Sequence, residues 1–291
     1  MEYLRPRTWQ DAVALKTENP DAAPICGGTD LMVEINFAER RPAALLDLSH
    51  LSEPKGWFHR NGAVELGAGV TYTRIINELG AELPALAIAS RTVGSPQIRN
   101  RGTVGGNLAT ASPAGDAHPP LLATGATVRA ESMRGVRDIP IGEFFVGPKR
   151  SALEPDELVR SVVVPVARGP QQFSKVGTRN AMVIAVVSFA VALDLGRRSV
   201  GTGIGSAGPT PLEASEAADY LNRELTGGGY WEEHRPLPRC VVDRFSELVV
   251  SAADPIDDVR GVARYRTHAL GVMSRRTLTW AWEAAGEGRP V

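Results

Sequence analysis

Residues 95–116 read SPQIRNRGTVGGNLATASPAGD. The segment is rich in Gly, Ser, Thr and Asn, yet Ile98, Val104 and Leu108 anchor it like the wall of a domain rather than a linker. It reads as a long irregular loop, and a loop of that length inside a compact domain is usually functional. Gly105, Gly106 and Asn107 present backbone N–H groups with little side chain in the way, and Thr103, Thr110 and Ser112 add hydroxyls. Upstream, residues 25–31 read ICGGTDL. A short strand from Ala23 to Cys26 runs into a Gly27–Gly28 turn, and Thr29 or Asp30 caps a helix from Leu31 to Ile35. Successive amides in such turns form a concave nest for an anion, and a helix start adds its positive end. Two nests suit the two phosphates of a pyrophosphate. Two purely structural turns are the alternative reading.

Working outward, Thr8 and Asp11 form a capping box for a short helix through Leu15. Ala44 to Leu48 reads as a strand, and Val64, Leu66, Ala68 and Val70 alternate as a second, half-buried one. Thr71 caps a helix that Gly80 stops, and Pro84 opens the next, through Ala89. Leu121 to Ala130 reads as helix then strand. The composition loosens at Pro165–Pro170, which marks a domain boundary. Beyond it Ala185, Val187, Phe189, Val191 and Leu193 alternate as a strand, Pro211 opens a helix through Leu221, and the triple glycine in 226–230 reads as a mobile surface loop. Apolar residues from Val259 to Leu278, Tyr265 and Met273 among them, recur at helical spacing and predict a helix with one buried face. Gly203, Gly205 and Gly208 fit GxGxxG, but Pro209 and Pro211 follow where a dinucleotide site needs a helix to begin. They read as a loop after a strand.

The bulk numbers narrow the classes. The 291 residues suggest two or three packed units, and 43% hydrophobic with 22% charged residues is ordinary for a globular chain. Basic and acidic side chains, 32 and 33, nearly cancel, which leaves no basic field for nucleic acid. Cys26 and Cys240 form no CxxC pair, which argues against a zinc or iron–sulfur site on this chain. Five scattered histidines make a metal site unexpected. No apolar run reaches about 18 residues, and MEYLRPRTW lacks a signal-peptide core, so a cytoplasmic location is expected.

The two glycine segments together resemble the FAD-binding medium subunit of the molybdenum hydroxylases, the xanthine and carbon monoxide dehydrogenase group. Residues 144–165, 173–188, 205–221 and 254–278 resemble later parts of that subunit in the same order. The resemblance implies an α+β chain with a two-subdomain FAD-binding domain, like that of vanillyl-alcohol oxidases, over residues 1–168. The subdomains would be about 1–55 and 56–168. A C-terminal α/β domain with a small antiparallel sheet would fill 169–291. It implies non-covalent FAD, lined by Ile25, Cys26, Gly27, Gly28, Thr29, Asp30 and Leu31 at the pyrophosphate. Thr103, Gly105, Gly106 and Asn107 would form the second loop, and Thr110, Ser112 and Asp116 would continue along the cofactor. Leu153 and Val93 would lie near the flavin ring, with Lys175 at its polar edge. The resemblance also implies partners: a small subunit with [2Fe–2S] clusters and a large subunit with molybdopterin, in a dimer of heterotrimers. Electrons would pass from the clusters through FAD to an external acceptor.

Three positions depart from the family's pattern. Cys26 stands where alanine is common and should be buried, Val183 stands where aspartate is common, and Val93 replaces an aromatic residue of animal relatives. Residues 227–240 fit the family poorly. Two other readings are a stand-alone flavoprotein oxidase and an assembly subunit that has lost FAD. The first needs a substrate base on the same chain, which no His or Tyr cluster suggests, and the intact glycine segments oppose the second.

Overall fold

A computed structural model describes residues 1–286; residues 287–291, the end of the expected C-terminal domain, lie outside the described residues. The fold is α+β and is built on three principal sheets. The first is parallel and small: Glu2–Leu4 and Ala23–Ile25 flank Ala44–Asp47. Helix Trp9–Glu18 covers it, opened by the Thr8–Asp11 capping box, with both of its hydrogen bonds in place. Trp9, Val13, Leu46 and Leu51 form its core with Leu158.

The second sheet is antiparallel, in the order Trp57–Arg60, Ala63–Gly67, Leu158–Pro165, Thr127–Ser132, Gly135–Pro140. Its inward face carries Val64, Leu66, Val128, Ala130 and Val162. Helices Tyr72–Glu78, Pro84–Thr92 and His118–Ala123 follow, and Tyr72, Ile75, Leu86 and Leu121 join this core. The strand expected through Val70 ends at Gly67; beyond it Gly69 donates to the Pro54 carbonyl and Thr71 bridges to Thr103.

Residues 95–116 are not an irregular loop. They form two short helices, Pro96–Arg101 and Val104–Thr110, with Ser95 and Thr103 at the N-caps. The glycines hid this, because they lower helix propensity while serving close packing. A Cβ on Gly105 would stand 2.4 Å from the Ala68 Cβ.

The third sheet is antiparallel, Gln171–Val176, Val187–Asp194 and Ser199–Gly205. Its middle strand is buried on both faces rather than one. Val187, Phe189, Val191 and Leu193 meet helices Ser215–Gly227, Arg239–Ser251 and Ala263–Gly286, while Ala190 and Ala192 meet Ala85, Ala89 and Ala123 of the preceding domain. Gly203 and Gly205 lie in the outer strand, not in a loop after it. With Gly201 they form a side-chain-free stripe on which residues 118–123 rest. A Cβ on Gly201 would stand 1.9 Å from the Ala123 carbonyl oxygen, and one on Gly203 2.1 Å from that of Pro119.

Three further expectations differ from the structure. The helix after Pro211 begins at Ser215, because Leu212 first pairs with Ile204 as a bridge. The triple-glycine segment is anchored rather than loose: Tyr230 and Trp231 are buried and pack edge-on against Trp282. The terminal helix starts at Ala263, and Tyr265 is exposed while Met273 is buried. Its inner face instead carries Arg266, whose guanidinium donates to the Val186 and Ser206 carbonyls at 2.9 and 2.8 Å and meets Asp258 at 2.5 Å.

The glycine stripe gives a direct test. Gly201→Ala and Gly203→Ala should each lower stability by about 2–4 kcal/mol, the range of overpacked or strained cores. Gly227→Ala, at a helix position with nothing within 4 Å, should be neutral or stabilising by up to about 1 kcal/mol. Thermal unfolding midpoints check both, and equal midpoints for all three variants would refute this role for the stripe.

Candidate functional site

The small parallel sheet and the five-stranded sheet face each other across a cavity of about 780 Å³. Its walls are the turn after Ile25, the two short helices of residues 96–110, and Leu153–Val159; Met182, Val183 and Ile184 come from the C-terminal domain. Ile25, Cys26, Gly27, Gly28, Thr29, Asp30, Leu31, Val93, Thr103, Gly105, Gly106, Asn107, Thr110, Ser112, Asp116 and Leu153 all line it. Lys175 does not; it stands behind Asp116.

The two glycine segments play different parts. Among the described residues, the amides of Gly27, Gly28, Thr29, Asp30 and Leu31 donate to no acceptor, and all five residues border the cavity. Gly28 makes this turn possible with φ of +74°, and Gly27 lets it lie on the chain below, since a Cβ there would stand 2.1 Å from the Arg101 carbonyl oxygen. Asp30 takes the N-cap position of helix Leu31–Asn36 without capping it. Its carboxylate instead accepts from Thr110 Oγ1 at 3.4 Å, and burial pushes its pKa up. A free run of amides at a helix start is an anion site.

In the second segment the amides are already used. Val104 donates to the Val70 carbonyl, Gly105 to that of Ala68, Gly106 to Thr103 Oγ1, and Asn107 to the Thr103 carbonyl. The second nest expected from Gly105–Asn107 is therefore absent, because the Gly105 amide holds the helix to Ala68 beneath it and those of Gly106 and Asn107 are taken by the Thr103 cap. The hydroxyls are similarly engaged, Thr110 with the Gly106 carbonyl at 2.9 Å and Ser112 accepting from the Ala114 amide at 3.3 Å. This segment contributes acceptors instead. Asn107 Oδ1 and Asp116 Oδ1 are buried without partners, as is the Tyr72 hydroxyl, and all three residues border the cavity. Buried polar atoms are normally hydrogen-bonded, and these three belong to residues around one cavity.

Asp116 is 7% exposed. Its Oδ2 accepts from Lys175 Nζ at 2.5 Å and from Thr92 Oγ1 at 3.0 Å. Burial pushes its carboxyl pKa up, and Lys175 and Thr92 pull it back. Cys26 is half-buried rather than buried, and desolvation raises its thiol pKa.

Sequence reasoning passed over Tyr72, Trp9 and the apolar run Met182–Ile184, all on the cavity wall. The run left a signal: apolar residues start well before the strand at Val187 that would explain them. It also passed over His118, which lies fully buried beneath the second segment. Its Nε2 meets the Asn107 carbonyl at 3.3 Å, and its ring lies 4.6 Å from that of Phe145.

The family described as FAD binding domain in molybdopterin dehydrogenase matches residues 1–167. The chain belongs to this family. It is 31% identical to the xanthine dehydrogenase FAD-binding subunit of Escherichia coli O157:H7, over 98% of this chain and 97% of that protein. It is 30% identical to the carbon monoxide dehydrogenase medium chain of Afipia carboxidovorans, over 95% of each. Its fold matches a chain of the reconstituted CO dehydrogenase from Oligotropha carboxidovorans with a TM-score of 0.88, at 29% identity and 98% coverage of both chains. As in the rest of the family, the cofactor domain is an FAD-binding one. Among the described residues no helix is long and apolar enough to cross a membrane.

His118 should make this FAD-binding domain acid-sensitive. Burial lowers its pKa from 6.5 to about 4. In the unfolded chain it therefore protonates at a higher pH than in the folded one. Stability should fall as pH drops from about 6.5 towards 4, by roughly 3 kcal/mol at about 1.36 kcal/mol per unit. His118→Gln should flatten this part of the profile in urea unfolding at pH 7 and pH 4.5. A variant whose slope matches the parent would exclude His118 as the cause.

Proposed function

We propose that the cavity holds FAD non-covalently and that the chain is the electron-transfer subunit of a molybdenum hydroxylase. The observation that carries the reading is the run of free amides from Gly27 to Leu31, set opposite orphaned acceptors on the same cavity. The amides would bind the pyrophosphate, where a helix start favours negative charge. Thr29, Asp30 and Thr110 would border it. Asp116 Oδ1 and Asn107 Oδ1 would accept from hydroxyls of the ribityl or ribose part, as a carboxylate and an amide oxygen do. Tyr72 would supply a donor. Leu153, Val93 and the Met182–Ile184 run would exclude water from the ring, with Val93 covering less of it than an aromatic residue. Thr103, Gly105 and Gly106 would act through packing, by holding the helix that carries Asn107, and Ile25, Cys26, Leu31 and Ser112 would complete the wall.

FAD supplies the redox chemistry when bound. On this reading the chain receives electrons from [2Fe–2S] clusters on a small subunit. They originate at the molybdopterin of a large subunit and leave to an external acceptor. The names of the relatives, an FAD-binding subunit and a medium chain, support a place in such an assembly. We propose a dimer of heterotrimers in the cytoplasm, with the cofactor domain ending near residue 168. Two free cysteines fit a reducing compartment.

The purified chain, after FAD addition and removal of excess, should retain an oxidised-flavin spectrum and release FAD on denaturation. A folded chain that stays colourless would refute the reading. Gly28→Val should cut FAD retention at least about tenfold, because a branched residue at positive φ costs roughly 1–2 kcal/mol and would distort the amide run.

A further inference from the structure

The C-terminal domain carries a second concavity, of about 400 Å³, and no residue lines both it and the cofactor cavity. It is a groove between helices Arg239–Ser251 and Ala263–Gly286. The two helices run antiparallel: Ser246 donates to the Gly271 carbonyl at 2.7 Å, and further along Arg275 Nε stands 3.9 Å from Asp243 Oδ1. That register puts Arg239, Val242 and Asp243 of one helix on the same groove as Arg275, Arg276, Thr279 and Trp280 of the other. Leu237, just before the first helix, completes it.

Part of this wall comes from residues 227–240, the segment that fits the family poorly and that the cofactor cavity does not use. The segment is firmly held. The Arg235 guanidinium lies 4.0 Å over the Tyr230 ring and donates to the Gly228 carbonyl at 2.8 Å. The Arg235 carbonyl accepts from Trp282 Nε1 at 2.9 Å. Pro236 and Pro238 then fix the backbone on either side of Leu237. Leu237 and Arg239 thus reach the groove on a stretch with little backbone freedom.

The groove combines two chemistries. Trp280 is 48% exposed, although indoles are mostly buried. It stands one turn after Arg276, a spacing that puts both on one helix face. Arg276 is exposed and makes no ion pair among the described residues. Arg239, 94% exposed, and Arg275 share one carboxylate, Asp243, at 3.4 and 3.9 Å. Three guanidiniums therefore meet a single carboxylate, in a chain whose charges otherwise nearly cancel. A guanidinium's fork of donors matches phosphate oxygens, and an open indole face takes a planar aromatic group. Asp243 adds an acceptor for a hydroxyl or an amine. A nucleotide presents all three partners at once. A nucleic-acid strand needs a longer basic track than one groove offers.

We propose that this groove binds a free nucleotide, with its base on Trp280 and its phosphates on Arg239 and Arg276. The site stands apart from the cofactor cavity, and the proposal does not rest on the reading of that cavity as an FAD site.

The test is titration calorimetry of ADP into the full-length chain, after FAD loading and removal of the excess, with circular dichroism to verify folding. Binding should saturate with a dissociation constant below about 1 mM. It should weaken as salt is raised. Adenosine and inorganic pyrophosphate, which each carry half of the ligand, should bind at least about tenfold more weakly. Trp280→Leu should cut ADP affinity by about 5- to 100-fold, the range for loss of a stacking platform, and Trp280→Phe should keep most of it. Arg239→Gln and Arg276→Gln should each cost about threefold or more. All four variants should retain FAD as the parent does, which separates this site from the cavity. Absence of saturable ADP binding would overturn the proposal. So would binding that stays within twofold of the parent in Trp280→Leu and in the double Arg239→Gln, Arg276→Gln variant, since the ADP would then sit elsewhere. A parent that ignores ADP, with a double variant that no longer co-purifies with partner subunits, would make the groove a protein contact and overturn the nucleotide reading.

Discussion

Backbone touching backbone is the constraint on which this structure depends. The turn at Gly27 lies on the carbonyl of Arg101, the helix at Gly105 lies on Ala68, and the strand at Gly201–Gly205 lies on residues 118–123. These contacts join the turn after the parallel sheet to helix Pro96–Arg101, helix Val104–Thr110 to the chain below it, and the third sheet to helix His118–Ala123. Each needs a residue without a Cβ, because a methyl group would stand about 2 Å from backbone or Cβ atoms, well inside van der Waals contact. The glycines are thus spent mainly on assembly, and the cavity is the space left between the parts they join.

Chemistry enters through what that assembly leaves unsatisfied. In Val104–Asn107 the amides complete the local hydrogen bonds, so the segment is closed to an anion. In Gly27–Leu31 they are open. The difference follows from where each segment sits. The second helix starts directly over a strand end whose carbonyls, Ala68 and Val70, are within reach, whereas the first turn projects past the end of its sheet. On the same cavity wall, Asp116 and Asn107 each keep one buried oxygen, Oδ1, without a protein donor.

The buried Lys175–Asp116 pair links this site to the third sheet. A buried ion pair is weak evidence for stability, since desolvation offsets the attraction, but it sets orientation strictly because either charge alone is costly. Its placement ties Asp116, on the cavity wall, to a strand far along the chain. The apolar Met182–Ile184 run, which leads into the next strand of that sheet, borders the cavity as well.

The sequence by itself determined the local elements and the identity of the wall. The Thr8–Asp11 capping box, the strands at Ala23 and Ala44, and the proline-opened helix at Pro84 form as their residues dictate, because caps, prolines and periodicity act within a few residues. The ordered resemblance reached the family and gathered the residues that line one cavity. Only the tertiary structure decided which of them carry free donors. An amide's partner, such as the Ala68 carbonyl for Gly105, comes from another element, and no pattern within residues 95–116 reveals it. The helices there were masked because glycine signals flexibility locally and close packing globally. Lys175 shows the same limit. Its place in the chain suggested the flavin ring, but its direction was fixed by strand alternation and by Asp116 waiting across the domain boundary, a contact between residues 59 positions apart.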